Sequence, residues 1–331
     1  MERRRLVLAV DGGNSKTDVA VVADDGEVLA TGRSGPFAPQ SDGVAAAVDE
    51  VEKAVHQAVA GASPGESPLV DARFDHVAAY LAGADLPVEE EALAREFAAR
   101  GFGPDIVVRN DTFAVLRAGA SAPWGVAVVC GAGINAVGVS PTGEVARFPA
   151  LGRLSGDWGG GLGVAEEALW HAIRAEDGRG PSTALTTLVK AHFGTATVAD
   201  LVLALHFGHL DADRLHELTP GVFAAAADGD AVALSLVERQ AEEVTVLAEV
   251  CLRRLNLLET PTEVVLGGGI LTARDPLLTP LLDSAFADRA PRAKLIVADV
   301  PPIIGAALNG LEHLGATEAA KARLRARYER P

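Results

Sequence analysis

Cysteine is almost missing. Cys130 and Cys251 are the only two among 331 residues. They form no C-x-x-C pair and no zinc spacing, so a disulfide framework is not expected and a reducing compartment is the simplest setting. Long hydrophobic runs are missing too. No apolar span reaches 18 residues, which argues against a membrane-crossing helix. The run Leu6–Val10 after MERRR ends at Asp11, too short for the apolar core of a signal peptide. The expected location is the cytoplasm, with no membrane partner. Positive charge is scarce: 29 Lys and Arg stand against 45 Asp and Glu, for a net charge of -16. That field repels phosphate backbones, so nucleic acid is not an expected partner, and an anionic ligand needs local donors. No G-x-x-x-x-G-K-[ST] occurs, which excludes a Walker P-loop. The eight histidines show no H-x-x-x-H and read as surface or hydrogen-bonded residues. Trp124 and Trp170 read as packing.

What is present is Ala, Val, Leu and Gly, with 49% hydrophobic residues overall, the composition of an α/β protein long enough for two domains. The chain also echoes itself. LAVDGGNSKTDVAVVADDGEVLA (8–30) resembles AVVCGAGINAVGVSPTGEVAR (127–147). Each copy reads as strand, Gly-rich turn, alternating strand, Gly turn ending in Gly-Glu-Val, and third strand. Cys130 lies 119 residues beyond Asp11, and Gly143 lies 117 beyond Gly26. A spacing this long implies duplicated domains rather than a solenoid. Between the copies the pattern predicts a helix over 44–59, a loop GASPGESP, a strand in HVAAYLAGAD and a helix over 89–100. After the second copy, helices extend to about residue 258. TEVVLGGGIL then reads as a strand entering a Gly turn, AKLIVADV as the last strand, and PPIIGAALNGLEHLG as the final helix, with Pro in its first turn.

Within the first turn, successive glycines let backbone N–H groups converge on an anion. Ser15 and Thr17 add hydroxyls and Lys16 a charge. Asp11, at a strand's carboxyl end, is of the type that holds hydrated Mg²⁺. A decorated β-turn is the alternative. The second turn, CGAGINA, matches the dinucleotide pattern G-x-G-x-x-A, but a strand rather than a helix follows it, so a second phosphate-facing hairpin fits better. In IVVRNDTFAVLRAG, Asp111 stands where a strand ends and a helix begins. It reads either as an N-cap residue, worth ~1 kcal/mol, or as an acid accepting the proton of a hydroxyl that attacks a phosphoryl group. LSGDWGGGLG sets Asp157 between glycines, either to meet a sugar hydroxyl or as a helix lead-in. VVLGGGI suits close approach of adenine, or a plain β–α turn.

In this order the motifs resemble the sugar kinase–actin ATPase fold, and in detail the N-acetylglucosamine kinase family, also described as BadF/BadG/BcrA/BcrD-type ATPases. DGGNSKTD resembles that family's first phosphate motif, NDT its catalytic stretch, GAGINA its second phosphate loop and VVLGGGI its adenosine motif. The resemblance implies a two-domain actin-like ATPase fold, each domain RNase-H-like with a mixed five-stranded sheet and flanking helices. The domains would span 1–116, completed by about 303–331, and 117–302, with ATP and Mg²⁺ between them and usually a homodimer. It implies transfer of the γ-phosphoryl of ATP to a hydroxyl of an amino sugar, N-acetylglucosamine or a close relative. The alternatives are another sugar (glucosamine, N-acetylmuramic acid, glucose) or an ATPase of non-kinase role. Relatives that activate dehydratases need cysteines for an iron–sulfur cluster, and the two cysteines here are misplaced for one.

By position, Asp111 would be the base and Asp11 would organise Mg²⁺, through water. Gly12, Gly13, Asn14, Ser15, Lys16 and Thr17 would line one side of the phosphates, and Gly131, Ala132, Gly133 and Asn135 the other. Gly268 and Gly269 would meet adenosine. Asn110, Asp111, Gly83, Gly152, Asp157 and Trp158 would meet the sugar. Three departures fall on the sugar side. Trp158 replaces an acid of the family's Gly-Asp-Glu-Gly-Ser, Ala82 replaces a serine, and GPFAPQSDG (35–43) lacks the Asn and His of the family's sugar loop.

Overall fold

The computed structural model describes residues 3–61 and 74–328. All but the first residue of the GASPGESP loop lies outside them. The strands are β1 (Leu6–Gly12), β2 (Thr17–Ala23), β3 (Val28–Ser34), β4 (His76–Leu81), β5 (Ile106–Asn110), β6 (Gly125–Cys130), β7 (Ile134–Val139), β8 (Val145–Arg147), β9 (Thr262–Gly267) and β10 (Ala293–Val297). They form two five-stranded sheets, ordered β3-β2-β1-β4-β5 and β10-β9-β6-β7-β8. Read from its own meander, each sheet has the same order, so the internal echo is a repeat of topology as well as of sequence.

Chain contacts divide the molecule into two compact units. One gathers Met1–Ala127, Val139–Pro149 and Ile296–Pro331; the other gathers Val128–Gly138 and Ala150–Leu295.

In the first unit β1 runs antiparallel to β2 and parallel to β4, and β4 runs parallel to β5. β1 and β4 are therefore interior strands covered on both faces, which is why LVLAV and HVAAYL read as unbroken apolar runs. Their alternate residues separate two cores. Leu8 and Val10 join Val48, Val51 and Ala54 of the helix Val44–Gly61 and Leu93 and Phe97 of the helix Pro87–Ala99. Val7 and Ala9 join Ile304, Ala307, Leu308 and Leu311 of the helix Pro302–His313, from the far end of the chain. That helix is not the last: a break at Gly315 leads to another, Glu318–Ala326, which buries only Ala320 and Leu324. So thin an apolar stripe does not announce a helix in the sequence.

The second unit is mostly helical. Its longest helix, Ala231–Arg254, buries Leu236, Val237, Ala241, Val244, Ala248 and Cys251 at three-and-four spacing. Asp230 caps its start, accepting from Ala233 N at 2.9 Å. Trp170, expected in packing, is half exposed on the helix Gly160–Glu176, with the Arg174 guanidinium 4.5 Å over its ring. No single helix among the described residues is long and apolar enough to cross a membrane.

Candidate active site

In the first unit the ladder brings three strand ends level. Gly12 pairs with Leu81 and Leu81 with Asn110. Ala82 N donates to Gly12 O at 2.6 Å and Asp111 N to Leu81 O at 3.3 Å. Asp11, Gly83, Asn110 and Asp111 therefore collect at the carboxyl ends of β1, β4 and β5, where open α/β sheets take ligands. Asp11 is buried and its carboxyl is pushed up to about 7, first by burial, then by the charges of Asp111 and Asp18, with Lys16 and Arg33 pulling the other way. Asp111 keeps some exposed surface, yet the protein packed around its carboxyl pushes it up to about 6, partly offset by nearby backbone N–H groups. Its side chain makes no capping hydrogen bond to the helix Thr112–Gly119. Asn110 takes that duty: its Oδ1 accepts from Thr112 N at 3.0 Å and from Thr112 Oγ1 at 2.5 Å, while its Nδ2 donates to Asp85 Oδ1 at 2.8 Å. The N-cap function thus sits one residue earlier, and Asn110 is a buried brace for the strand end.

The β1–β2 turn is closed by Gly13 N donating to Lys16 O at 2.9 Å. Asn14 and Ser15 are exposed at its tip and Lys16 is half-buried. Thr17 is buried, its hydroxyl donating to Gly35 O at 2.9 Å, so this side chain holds the neighbouring loop in place. Lys16 Nζ pairs with Asp18 Oδ2. Arg33, the cross-strand partner of Asp18, donates Nε to Asp18 Oδ1 at 2.5 Å and Nη2 to Oδ2 at 3.1 Å. Burial works to raise Asp18, but the bonds from Arg33 and Lys16 prevail and hold it below the usual carboxylate range. Asp18 and Arg33 were missed as site residues; the acid closing the turn was the available signal for the first. Gly83, with φ 72°, accepts from Gln40 Nε2 at 2.9 Å, which ties the 35–43 loop to the end of β4.

In the second unit the β6–β7 turn sits on the start of the helix Gly160–Glu176. Gly161 N donates to Gly131 O at 2.8 Å and Leu162 N to Ala132 O at 2.9 Å. Gly160 has φ 73°, and a Cβ there would lie 2.5 Å from the Gly133 carbonyl oxygen, so only glycine permits this contact. Gly268, with φ 84°, packs equally close on β6: a Cβ would lie 2.4 Å from Cys130 O. Gly131, Ala132, Gly133, Gly160 and Gly268 thus form one backbone surface, with Ala132, Gly133 and Gly269 exposed. A Cβ at Gly131 or Gly133 would meet nothing. Asn135 Oδ1 accepts from its neighbour's amide, Ala136 N, at 2.7 Å.

The Gly-Asp-Trp loop adjoins that surface in the chain. Asp157 Oδ2 accepts from Ser155 Oγ at 2.6 Å, and Asp157 N donates to Gly152 O at 3.0 Å. Trp158 is buried beneath the Arg239 guanidinium, 4.1 Å from the ring centre. Its Nε1 is buried with no hydrogen-bond partner among the described residues. Gln240 Oε1 accepts from Gly160 N at 3.0 Å. This brace was also missed; a polar residue inside the apolar stripe of the helix Ala231–Arg254 was its trace.

The sequence pattern of the BadF/BadG/BcrA/BcrD ATPase family matches residues 8–310. The chain belongs to this family. Within and around it, the chain is 25% identical over 316 residues to an N-acetyl-D-glucosamine kinase of Dictyostelium discoideum, covering 93% of this chain and 98% of that one. It is 23% identical over 267 residues to an N-acetylmuramic acid/N-acetylglucosamine kinase of Clostridium acetobutylicum, covering 81% and 86%. A crystal structure described as a candidate N-acetylglucosamine kinase of Chromobacterium violaceum superposes with a TM-score of 0.68 at 25% identity, covering 92% and 98%. This BadF-type ATPase thus has the actin-like architecture, two five-stranded sheets with flanking helices.

Proposed function

We propose that this BadF-type ATPase is a sugar kinase that transfers the γ-phosphoryl of ATP to a hydroxyl of an amino sugar, N-acetylglucosamine or a close relative. The observation that carries the reading is the pair of acids at the carboxyl ends of β1 and β5, either side of β4: Asp11, buried, and Asp111, partly exposed, each holding its proton well above the usual carboxylate range. An acid near 6 is ionised at neutral pH and still basic enough to take a hydroxyl proton as the oxygen attacks. The sugar O–H proton passes to Asp111, the new O–P bond forms, the bond from the γ-phosphorus to the bridging oxygen breaks, and ADP leaves. Asp11 supplies a hard oxygen donor in a region already crowded with negative charge. Asp11 and Asp111 repel each other, which a cation would relieve. Mg²⁺ bound by Asp11 would neutralise phosphate charge.

The turn Gly12–Thr17 offers backbone N–H groups and Lys16 to the phosphates; Gly131, Ala132 and Gly133 offer the second set. Gly268 and Gly269 take adenosine by close backbone approach. Asp157 reads the sugar as an acceptor, and Trp158 shapes that loop from beneath, its buried indole N–H having no partner among the described residues. Both cysteines are buried thiols, Cys130 pushed up to about 12 by burial. The test is ADP release from ATP with N-acetylglucosamine, N-acetylmuramic acid, glucosamine, N-acetylmannosamine and glucose. Turnover with an amino sugar supports the reading; ADP release unaffected by every sugar overturns it.

A further inference from the structure

At the opposite ends of the same strands lies a cluster that the reaction does not use. His76 is the first residue of β4, Asp105 immediately precedes β5, and His313 ends the helix Pro302–His313. His76 Nδ1 lies 2.9 Å from Asp105 Oδ2, and His313 Nε2 lies 2.6 Å from the same oxygen. The three ligand atoms fall within 4.8 Å of one another. Strand length places them roughly 15–20 Å from the Asp11–Asp111 end.

We propose that His76, Asp105 and His313 bind one divalent transition-metal ion that fastens the helix Pro302–His313 to the amino ends of β4 and β5. Two imidazoles and one carboxylate suit zinc, copper or nickel rather than magnesium or calcium. Asp105, with both imidazoles on one carboxylate oxygen, supplies the anionic ligand between two nitrogen donors. A cation about 2.0–2.2 Å from each ligand sets tetrahedral ligands about 3.3–3.6 Å apart, so its entry replaces the shared hydrogens and spreads the two contacts from 2.9 and 2.6 Å. The rings stack, with centroids 4.0 Å apart and planes 11° apart, so one must turn for both nitrogens to aim at a single ion. His313, exposed at a helix end, is the one that turns; His76, fully buried, is fixed. Solvent supplies the remaining ligand.

The test titrates the full chain with Zn²⁺ against a chromogenic chelator, with Mg²⁺ in excess to occupy hard-oxygen sites. The expected result is one equivalent per chain, with affinity reduced at least about 100-fold in His313→Ala and in Asp105→Asn. Zinc should also raise the unfolding temperature of the wild type by several degrees and leave both variants unmoved. Cu²⁺ on the wild type alone should give an electron paramagnetic resonance spectrum with two imidazole nitrogens, a readout that needs no variant to fold. Absence of a stoichiometric zinc site, equal binding by wild type and His313→Ala, or a copper spectrum without imidazole nitrogen would overturn the proposal.

Discussion

Asp11 and Asp111 end parallel strands that flank β4, and the negative charge of Asp111 adds to burial in pushing Asp11 up to about 7. Both folded values lie above the ordinary aspartate value of 3.8. Such groups contribute stability that is fully present below the unfolded value and is lost as pH rises through the folded one. The nucleotide-free protein should therefore lose stability between about pH 4 and pH 7, by on the order of a few kcal/mol. Asp11→Asn should flatten much of that slope. Thermal unfolding of both proteins across this range checks it; parallel pH profiles would count against the coupling.

Asp111→Asn should lower turnover by about 10²–10⁴ while leaving ATP binding intact by calorimetry. In the wild type, activity should fall as pH drops through about 6, where Asp111 takes up its proton. A variant with normal turnover would remove Asp111 from the role of base.

Gly131, in the β6–β7 turn, and Gly160, in the helix start packed against it, separate ligand contact from structure. Gly160→Ala puts a methyl group against the Gly133 carbonyl at a left-handed φ, and should cost roughly 2 kcal/mol or more in urea unfolding. Gly131→Ala meets no protein atom and should unfold like the wild type. If this backbone takes the phosphates, Gly131→Ala should nevertheless raise the KM for ATP several-fold. An unchanged KM would mean the turn is not a phosphate surface.

Trp158→Phe removes a buried N–H with no partner among the described residues and keeps an aromatic ring under Arg239. Stability should stay within about 1 kcal/mol of wild type, whereas the KM for the sugar should rise. Gln240→Leu should do the reverse: it leaves Gly160 N unsatisfied at a cost of about 1–3 kcal/mol. A sugar KM unmoved by Trp158→Phe would take the indole out of substrate recognition.

Legibility in the sequence followed the range of the interactions. The paired meanders were readable because alternation and Gly turns are local, and the shared strand order followed from them. The strand-end acids were readable because Asp11 closes one short apolar run and Asp111 stands two polar residues beyond another. What was hidden depended on register or on long chain separation. The pairing of Arg33 with Asp18 requires knowing which β3 residue faces β2. Asn110 looked like a substrate contact because nothing local shows that Asp85 and Thr112 claim its amide. Trp170 looked like core because a lone tryptophan carries no sign of which helix face it occupies. His76, Asp105 and His313 come together from positions 29 and 208 residues apart, so no spacing pattern could have joined them.

The contact of the helix Pro302–His313 with Val7 and Ala9 sets an order of events during synthesis. One side of the opening sheet stays bare until the helix Pro302–His313, which begins 290 residues beyond the end of β1, has been made. The first strands are thus born early and finished late, and in the interval their uncovered valines and alanines need a chaperone's shelter or a fast second half.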